Sequence, residues 1–327
     1  MSIKVIYFQQ LFPGAREIFD KYRGSGMDIT YWHYLPEDQK EPCLAQADYF
    51  ITSHFPITRD LLAKSPRLKM IQKAGTGLDN IDLKAAAERG IMVSVVPGAN
   101  SSTVAEMTIG SILSIYRKMN FLDRETKRGK WLMQEHRAEM FDMKGKTHGI
   151  IGFGVIGKIV AELSRAFGTS VIYFDVIKLP HSTETALGVT FASFEHLLSV
   201  SDIISLHIPL LPETRNLIAE KEIRLMKPNS VIINVARGHI IDEQALAKAL
   251  REGRLLGAAM DAWASEPVNP DNPLLQLDNV LATPHIAGGT FDAMDAMFRL
   301  CLENIQRTDH GETPHDLVKT DKPVTSR

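Results

Sequence analysis

Residues 147–175 read THGIIGFGVIGKIVAELSRAFGTSVIYFD, and the fold follows from this stretch. A short apolar run leads into Gly152, Gly154 and Gly157, a helix-period segment follows, and a second β-rich run ends at Asp175. In such a strand–turn–helix, the first glycine permits a tight turn, the second admits a pyrophosphate, and the third lets the helix lie against its strand. The helix N-terminus then presents unpaired N–H groups to the anion. The stretch predicts a dinucleotide-binding unit.

Asp175 indicates which dinucleotide is bound. A carboxylate at this distance from the glycines accepts hydrogen bonds from both adenosine ribose hydroxyls and repels a 2′-phosphate. The next residue is Val176 and not an arginine that would bind such a phosphate. We expect NAD as the cofactor, although Lys178 and His181 follow closely and weaken the preference over NADP.

The same glycines also match the spacing of a phosphate-binding loop, because Gly157 precedes Lys158. In that motif the following residue is a serine or threonine that binds Mg²⁺. Here it is Ile159, so the sequence argues against a nucleotide triphosphatase.

Composition is that of a soluble globular chain. The 327 residues are 44% hydrophobic and 23% charged, with a net charge of −2, which predicts two domains and gives no general attraction to nucleic acid or anionic membranes. Two cysteines suit a reducing compartment, and the eleven histidines lack metal-site spacing. With no signal-peptide pattern and no apolar run that would span a bilayer, we expect a cytoplasmic protein without a metal.

Strands and helices alternate along the chain, which predicts parallel sheets flanked by helices and hence an α/β fold. The predicted strands outside the central stretch are 3–8, 28–32, 49–52, 69–72, 91–94, 203–206, 231–235, 255–260 and 280–282. The predicted helices are 15–23, 58–64, 83–89, 242–252 and 290–307, the last of which is expected to return to the first unit.

A long helix is predicted between the two alternating halves. Thr103 and Glu106 have capping-box spacing at its start, and the pattern continues to about 128 with an interruption near 118–120. The charged segment 129–146 is compatible with an arm that crosses to a second subunit and equally with a surface loop. Residues 311–327 are polar and predict a frayed tail.

Arg237, Glu266 and His285 follow three successive predicted strands. Singly, each residue type in such a loop is more often solvated than functional. In parallel sheets, however, ligands bind beyond the carboxyl ends of the strands, so the three side chains are expected to converge beside the nicotinamide. His285 has the pKa of a group that both gives and takes a proton, Glu266 would orient it, and Arg237 offers a planar fork to a carboxylate. Asp261 would hold the nicotinamide carboxamide.

Four motifs carry a resemblance to a known family. NVARG at 234–238, DAWASEP at 261–267, TPHIAG at 283–288 and GTGLDN at 75–80 resemble the motifs of the D-isomer-specific 2-hydroxyacid dehydrogenases. The resemblance extends to about residue 308.

The resemblance implies two doubly wound parallel-sheet domains: a flavodoxin-like substrate domain, 1–98 plus 290–327, and a Rossmann NAD-binding domain, 99–289. It also implies a homodimer through the cofactor domain. The implied catalytic residues are Arg237, Glu266 and His285. The implied cofactor contacts are Gly152, Gly154, Val155, Ile156, Gly157, Asp175, His207, Pro209, Thr214, Val235, Ala236, Asp261 and Thr103. The implied substrate contacts are Ser53, Gly75, Thr76, Gly77, Arg237 and His285.

Departures from the family's branches narrow the expected substrate. Formate-oxidising relatives carry Gln in place of Glu266, phosphite-oxidising ones carry Lys in place of Thr76, and phosphoglycerate dehydrogenases carry Arg in place of Thr52. Lys73 and His54 still leave a phosphate-bearing substrate open. We expect NADH-dependent reduction of a small 2-keto acid, with glyoxylate and hydroxypyruvate favoured. A phosphoglycerate dehydrogenase-like enzyme and a non-enzymatic, NAD-sensing corepressor-like protein are the alternatives.

Overall fold

Two parallel sheets organise residues 2–319, the part of the chain that the computed structural model describes. One unit contains the residues up to 100 together with those from 289 onward, and the other contains residues 101–288. Each unit is an α/β fold with its own sheet, which confirms the predicted fold class.

The sheet of the first unit has five parallel strands in the order β2-β1-β3-β4-β5. This is the flavodoxin-like order, in which the strand sequence reverses between β1 and β3. The elements are β1 (Ile3–Tyr7), α1 (Ala15–Tyr22), β2 (Met27–Tyr31), α2 (Glu37–Gln46), β3 (Tyr49–Thr52), α3 (Arg59–Ala63), β4 (Met70–Lys73), α4 (Leu83–Glu88) and β5 (Met92–Ser94).

The sheet of the second unit has seven parallel strands in the order β12-β11-β10-β9-β6-β7-β8, with the reversal between β6 and β9. Its first elements are α5 (Ser101–Tyr116), α6 (Met119–Lys127), β6 (Thr147–Ile151), α7 (Val155–Ala166), β7 (Ser170–Phe174), α8 (His181–Leu187) and β8 (Val189–Phe191). The remaining ones are α9 (Phe194–Val200), β9 (Ile203–Leu206), α10 (Glu220–Leu225), β10 (Val231–Asn234), α11 (Glu243–Arg251), β11 (Gly257–Met260) and β12 (Val280–Ala282). Short 3₁₀ turns cover Trp32–Tyr34, Arg137–Glu139 and Pro273–Gln276.

Burial explains why these strands could be recognised in the sequence. All four residues of β9 and of β10 are buried, as expected for central parallel strands that are covered by helices on both faces. Side-chain caps mark several helix starts: Asp82 accepts from Ala85 N–H, and Asp242 accepts from the N–H groups at the start of α11.

The final helix, α12 (Phe291–Asp309), belongs to the first unit. Its inward residues Phe298, Leu302 and Ile305 enter the core that also contains Tyr7 and Ile51. The predicted helix and its observed bounds differ by two residues or fewer.

Two features of the sequence pattern were misinterpreted. The long helix begins at Ser101, so Thr103 lies inside it and the predicted capping box does not form. Residues beyond 311 are not a frayed tail as far as 318, because Val318 N–H donates to Val93 O and Ser94 Oγ donates to His315 O. Residues 320–327, which were also predicted to be frayed, lie outside the described part of the chain.

Four helices, α2, α8, α9 and α10, and the strand β8 were missed. The α2 sequence, EDQKEPCLAQ, contributes only Leu44 as a buried residue and contains Pro42, so it shows neither amphipathic periodicity nor a favourable composition. The break within the long helical pattern was predicted correctly, since α5 ends at Tyr116 and Lys118 adopts a left-handed conformation before α6.

Candidate active site

The glycine turn between β6 and α7 has the geometry that a pyrophosphate requires. Gly152 has φ 93°, and a Cβ placed on it would lie 2.5 Å from His207 O. A Cβ on Gly157 would lie 2.2 Å from Gly152 O, which forces helix and turn together. Nothing lies within 4 Å of the corresponding position at Gly154. The turn is therefore tightly packed at Gly152 and Gly157 and open at Gly154, as a bound dinucleotide requires.

Asp175 fixes this turn as well as lying beside it. Its Oδ2 accepts the Phe153 N–H at 2.7 Å, and its Oδ1 accepts the Ile177 N–H at 3.0 Å. Each carboxylate oxygen keeps a lone pair for a ribose hydroxyl. The N-cap residue of α7 is Gly154, which has no side chain to accept from the first N–H groups of the helix. Those N–H groups are available to a ligand.

His207 directs its imidazole into the protein. Its Nε2 lies 2.9 Å from Ser205 Oγ, which in turn lies 2.8 Å from His148 Nε2. The hydrogen-bonded series continues from His148 Nδ1 to Ser164 Oγ at 2.8 Å and from Ser164 Oγ to Thr169 Oγ1 at 2.8 Å. The predicted cofactor contact of His207 therefore rests on its backbone, whose carbonyl lies against Gly152.

Burial keeps the imidazoles of His148 and His207 neutral. It lowers the pKa of His207 to about 3, and burial followed by the neighbouring His207 lowers the pKa of His148 to about 3. Within residues 2–319, His207 Nδ1 is a buried atom without a hydrogen-bond partner. His148 was not singled out in the sequence, where a lone histidine on a strand carries no pattern.

The other predicted cofactor residues have local structural partners. Thr214 closes the turn after β9, donating from Oγ1 to Pro209 O at 2.7 Å and accepting from Leu211 N–H at 2.7 Å. Val235 is buried, and Ala236 N–H donates to Asn234 Oδ1 at 3.1 Å.

Asn234 shapes the turn that carries Arg237. It is fully buried at the end of β10, and its Nδ2 also donates to Arg237 O at 2.9 Å. A Cβ on Gly238 would lie only 1.9 Å from Trp263 O, so this turn packs backbone to backbone on the turn that follows β11. The role of Asn234 in this turn was not predicted from the NVARG motif in which it lies.

The structure brings Glu266 and His285 into direct contact. His285 Nδ1 lies 2.8 Å from both Oε1 and Oε2 of Glu266. Because a carboxylate only accepts, Nδ1 is the donor. Trp263 N–H also donates to Glu266 Oε1, at 3.0 Å. The side chains of Glu266 and His285 are 37% and 24% exposed, so the pair is held yet accessible.

Asp261 organises the turn that carries the histidine. Its carboxylate is buried at the end of β11 and accepts from Thr283 Oγ1, Ile286 N–H and Ala287 N–H at 2.7, 2.8 and 2.9 Å. One lone pair of Oδ2 remains for a further donor, which is compatible with the predicted carboxamide contact.

The predicted substrate loop of the first unit follows β4. Gly75 has φ 135°, a conformation that favours glycine. The buried Lys73 donates to Ser53 O and to Asn80 Oδ1, tying the loop to the end of β3. Ser53 N–H donates to Gln9 Oε1 at 2.8 Å, so its hydroxyl is the group that remains for a substrate.

Two absences concern residues 2–319 only. No helix there combines the length and apolar character needed to cross a membrane. No group of three potential metal-binding side chains comes together among these described residues.

Comparisons with known proteins agree with this geometry. A family profile described as D-isomer specific 2-hydroxyacid dehydrogenase, NAD binding domain, matches residues 109–287. The chain is 36% identical over 324 residues to a glyoxylate reductase of Aeropyrum pernix, covering 96% of this chain and 95% of the relative. It is 40% identical over 269 residues to a D-3-phosphoglycerate dehydrogenase of Methanocaldococcus jannaschii, covering 82% of this chain but only 51% of that protein.

The chain is also similar to a solved structure. The D-lactate dehydrogenase of Aquifex aeolicus, complexed with NAD and lactic acid, superposes with a TM-score of 0.80 at 30% identity. The superposition covers 94% of this chain and 96% of that one.

Proposed function

The chain belongs to the D-isomer-specific 2-hydroxyacid dehydrogenases, and on that premise we propose that it reduces glyoxylate and hydroxypyruvate with NADH. It is an NAD-dependent oxidoreductase that acts on CH–OH groups. The observation that carries the proposal is the bond from His285 Nδ1 to both oxygens of Glu266.

His285 is the proposed acid and base. Bound NADH supplies a hydride to the carbonyl carbon of the keto acid. His285 Nε2 donates a proton to the carbonyl oxygen in reduction and takes it back in oxidation. Glu266 fixes the tautomer and stabilises the charged imidazolium, because its two oxygens face the protonated Nδ1.

Arg237 is the proposed anchor of the substrate. Its guanidinium stays charged and offers two parallel N–H donors to a carboxylate, which orients the keto carbon. The N–H groups of Gly75, Thr76 and Gly77, with the Ser53 hydroxyl, are the proposed contacts of the substrate in the first unit.

Glyoxylate and hydroxypyruvate are favoured over a phosphorylated acid by the end of β3. Thr52, the position of the arginine in phosphoglycerate dehydrogenases, is buried and donates its hydroxyl to Phe55 O at 2.9 Å. Lys73 is 5% exposed and bonded to its neighbours, so its charge supports the loop. The second candidate, a phosphoglycerate dehydrogenase-like enzyme, is favoured by the 40% identity to such a relative.

The deciding experiment is a panel of keto acids, followed by the loss of NADH absorbance and repeated with NADPH. We expect efficient reduction of glyoxylate and hydroxypyruvate with NADH, and slower reduction of 3-phosphohydroxypyruvate. A preference for the phosphorylated acid would replace the main proposal with the second candidate. Faster turnover with NADPH would contradict the role of Asp175.

We also propose a cytoplasmic homodimer assembled through the cofactor-binding unit. Trp131 and Met133, on the segment 129–146, are 78% and 54% exposed, so the segment presents two large apolar side chains that a second subunit would cover. The start of the segment is tied to α6, because Arg128 and Lys130 both form ion pairs with the buried Glu125. The bond from Lys130 lowers the pKa of Glu125 to about 2.

Light scattering after size-exclusion chromatography tests this assembly. We expect a dimer, and a shift toward monomer when Trp131 and Met133 are both changed to serine. Phe167→Ser, which alters an exposed apolar residue directly after α7 in the same unit, is the matched control and is expected to stay dimeric. A monomeric wild type would refute the proposal.

A further inference from the structure

His285 has a backbone conformation that needs support. Its φ is 52°, in the left-handed region that residues other than glycine rarely adopt. Such a conformation persists only where the surrounding structure over-determines it, and it then sets the direction of the side chain. The position of the imidazole beside Glu266 therefore depends on whatever holds this turn.

Asp261 holds the turn through three consecutive N–H groups. His285 N–H donates to Asp261 O at 2.8 Å. Ile286 N–H donates to Oδ1 and Ala287 N–H donates to Oδ2 of the same residue. Asp261 is 2% exposed, and its own N–H donates to Asn234 O at 2.9 Å, so the anchor is fixed to the sheet.

The carboxylate of Asp261 needs a further restraint, because a buried carboxylate with two backbone donors can still rotate about its terminal bond. Thr283 supplies that restraint with a 2.7 Å hydrogen bond from Oγ1 to Asp261 Oδ1. Thr283 is itself fixed at both ends: its N–H donates to Met260 O at 3.0 Å, and its carbonyl accepts the Trp263 indole N–H at 2.9 Å.

We propose that Thr283, through its bond to the buried Asp261 carboxylate, is a positioning residue that holds the left-handed turn of His285. It acts through other residues and needs no contact with substrate or cofactor. The two carboxylate oxygens of Asp261 have different partners. Oδ1 accepts from Thr283 and Ile286, whereas Oδ2 accepts from Ala287 and keeps one lone pair for the cofactor. Loss of the hydroxyl should therefore disturb proton transfer more than NADH binding. The inference rests on the proposed role of His285.

Thr283→Val tests this, because valine keeps the β-branched shape and removes only the hydroxyl. We expect kcat to fall about ten-fold, the size of effect that one lost hydrogen bond has on a positioned group. The dissociation constant of NADH, measured by fluorescence titration, should change less than about two-fold. Thr283→Ser restores the hydroxyl and should recover most of kcat.

Ser201→Ala is the matched control, since Ser201 is a fully buried hydroxyl of the same unit that donates only to Leu197 O. It should leave kcat and NADH affinity unchanged. If Thr283→Val does not fold, Thr283→Ala removes the same group and takes its place.

A second readout is independent of turnover. The His285 Nδ1–H proton, bonded to Glu266, should give a downfield imidazole signal in the cofactor-free protein. We expect this signal to broaden or disappear in Thr283→Val and to persist in Thr283→Ser and Ser201→Ala. An unchanged signal in Thr283→Val would overturn the inference, as would a loss of kcat matched by an equal loss of NADH affinity. If the wild type reduced no keto acid while the signal behaved as expected, the proposed function would fail and the positioning role would stand.

Discussion

His285 and His148 belong to the same unit and end in opposite chemical situations. His285 is partly exposed, and its Nδ1 lies 2.8 Å from a Glu266 carboxylate oxygen. His148 is fully buried among hydroxyl groups, and burial lowers its pKa to about 3. The strand-end turn thus prepares one imidazole to carry a proton, while the core uses another as a neutral hydrogen-bonding link. The partner and the degree of burial, more than the residue type, decide which role a histidine takes.

The largest expected effect that separates the two histidines is on turnover. His285→Ala should lower kcat roughly a thousand-fold, within the range of lost general acid–base catalysis, because it removes the proposed proton donor. NADH affinity should change less than about two-fold. Steady-state kinetics and fluorescence titration measure the two effects. Retained turnover would mean that the proton comes from elsewhere.

Glu266→Gln tests the half of the comparison that concerns the partner. Glutamine still accepts a hydrogen bond from Nδ1 but brings no negative charge, so the imidazolium loses its stabilisation. We expect kcat to fall roughly a hundred-fold, within the range of impaired general acid–base catalysis. Steady-state kinetics measures the loss. An unchanged kcat would remove Glu266 from the mechanism.

The buried pair predicts a dependence of folding stability on pH. In the folded state His148 and His207 take protons only near pH 3, whereas in the unfolded chain they do so near 6.5. Their contribution is therefore complete above pH 6.5 and decreases as the pH falls toward 3, by about 1.4 kcal/mol per pH unit for each imidazole. Urea unfolding between pH 7 and 5 measures the slope.

A variant isolates the share of one imidazole. His148→Leu should make that slope shallower by about 1.4 kcal/mol per pH unit, whatever its effect on stability at neutral pH. His196→Leu, at an exposed position of α9, is the control and should keep the slope of the wild type. Equal slopes in all three proteins would contradict the neutral buried pair.

The smallest expected effect comes from the link between the two buried imidazoles. Ser205→Ala leaves His148 Nε2 and His207 Nε2 without their shared partner and should lower the free energy of unfolding by about 1 to 2 kcal/mol. The kcat should be unchanged, because the hydrogen bonds that link His148, Ser205 and His207 do not extend to His285. A large loss of kcat would show that the hydrogen bonds between His148 and His207 are coupled to the turn that carries His285.

Local sequence patterns were enough to predict most of the fold. The glycine turn, the apolar strands such as β9 and β10, and the break at Lys118 each depend on neighbours within a few residues, so spacing and composition were enough to predict them. The helix α2 was missed because it buries a single residue, and α8, α9 and α10 were missed because six or seven residues are too few to show a helical period. The Thr103 capping box was wrong because the helix starts two residues earlier.

Contacts across the sheet were beyond sequence reasoning. The bond from Thr283 to Asp261 depends on the register in which β11 and β12 pair, which places Met260 beside Ala282. The chain from His148 to His207 likewise depends on the pairing of β6 with β9. In both cases the residues are far apart in the sequence, and no single segment contains the signal.

The return of α12 to the first unit has a consequence for synthesis on the ribosome. The second unit is one continuous segment, so it can complete its core while the chain is still growing. The first five strands emerge earlier, yet their core lacks Phe298, Leu302 and Ile305 until α12 leaves the exit tunnel. We therefore expect the portion made first to finish folding last, and nascent chains that stop before α12 to be the ones that chaperones retain.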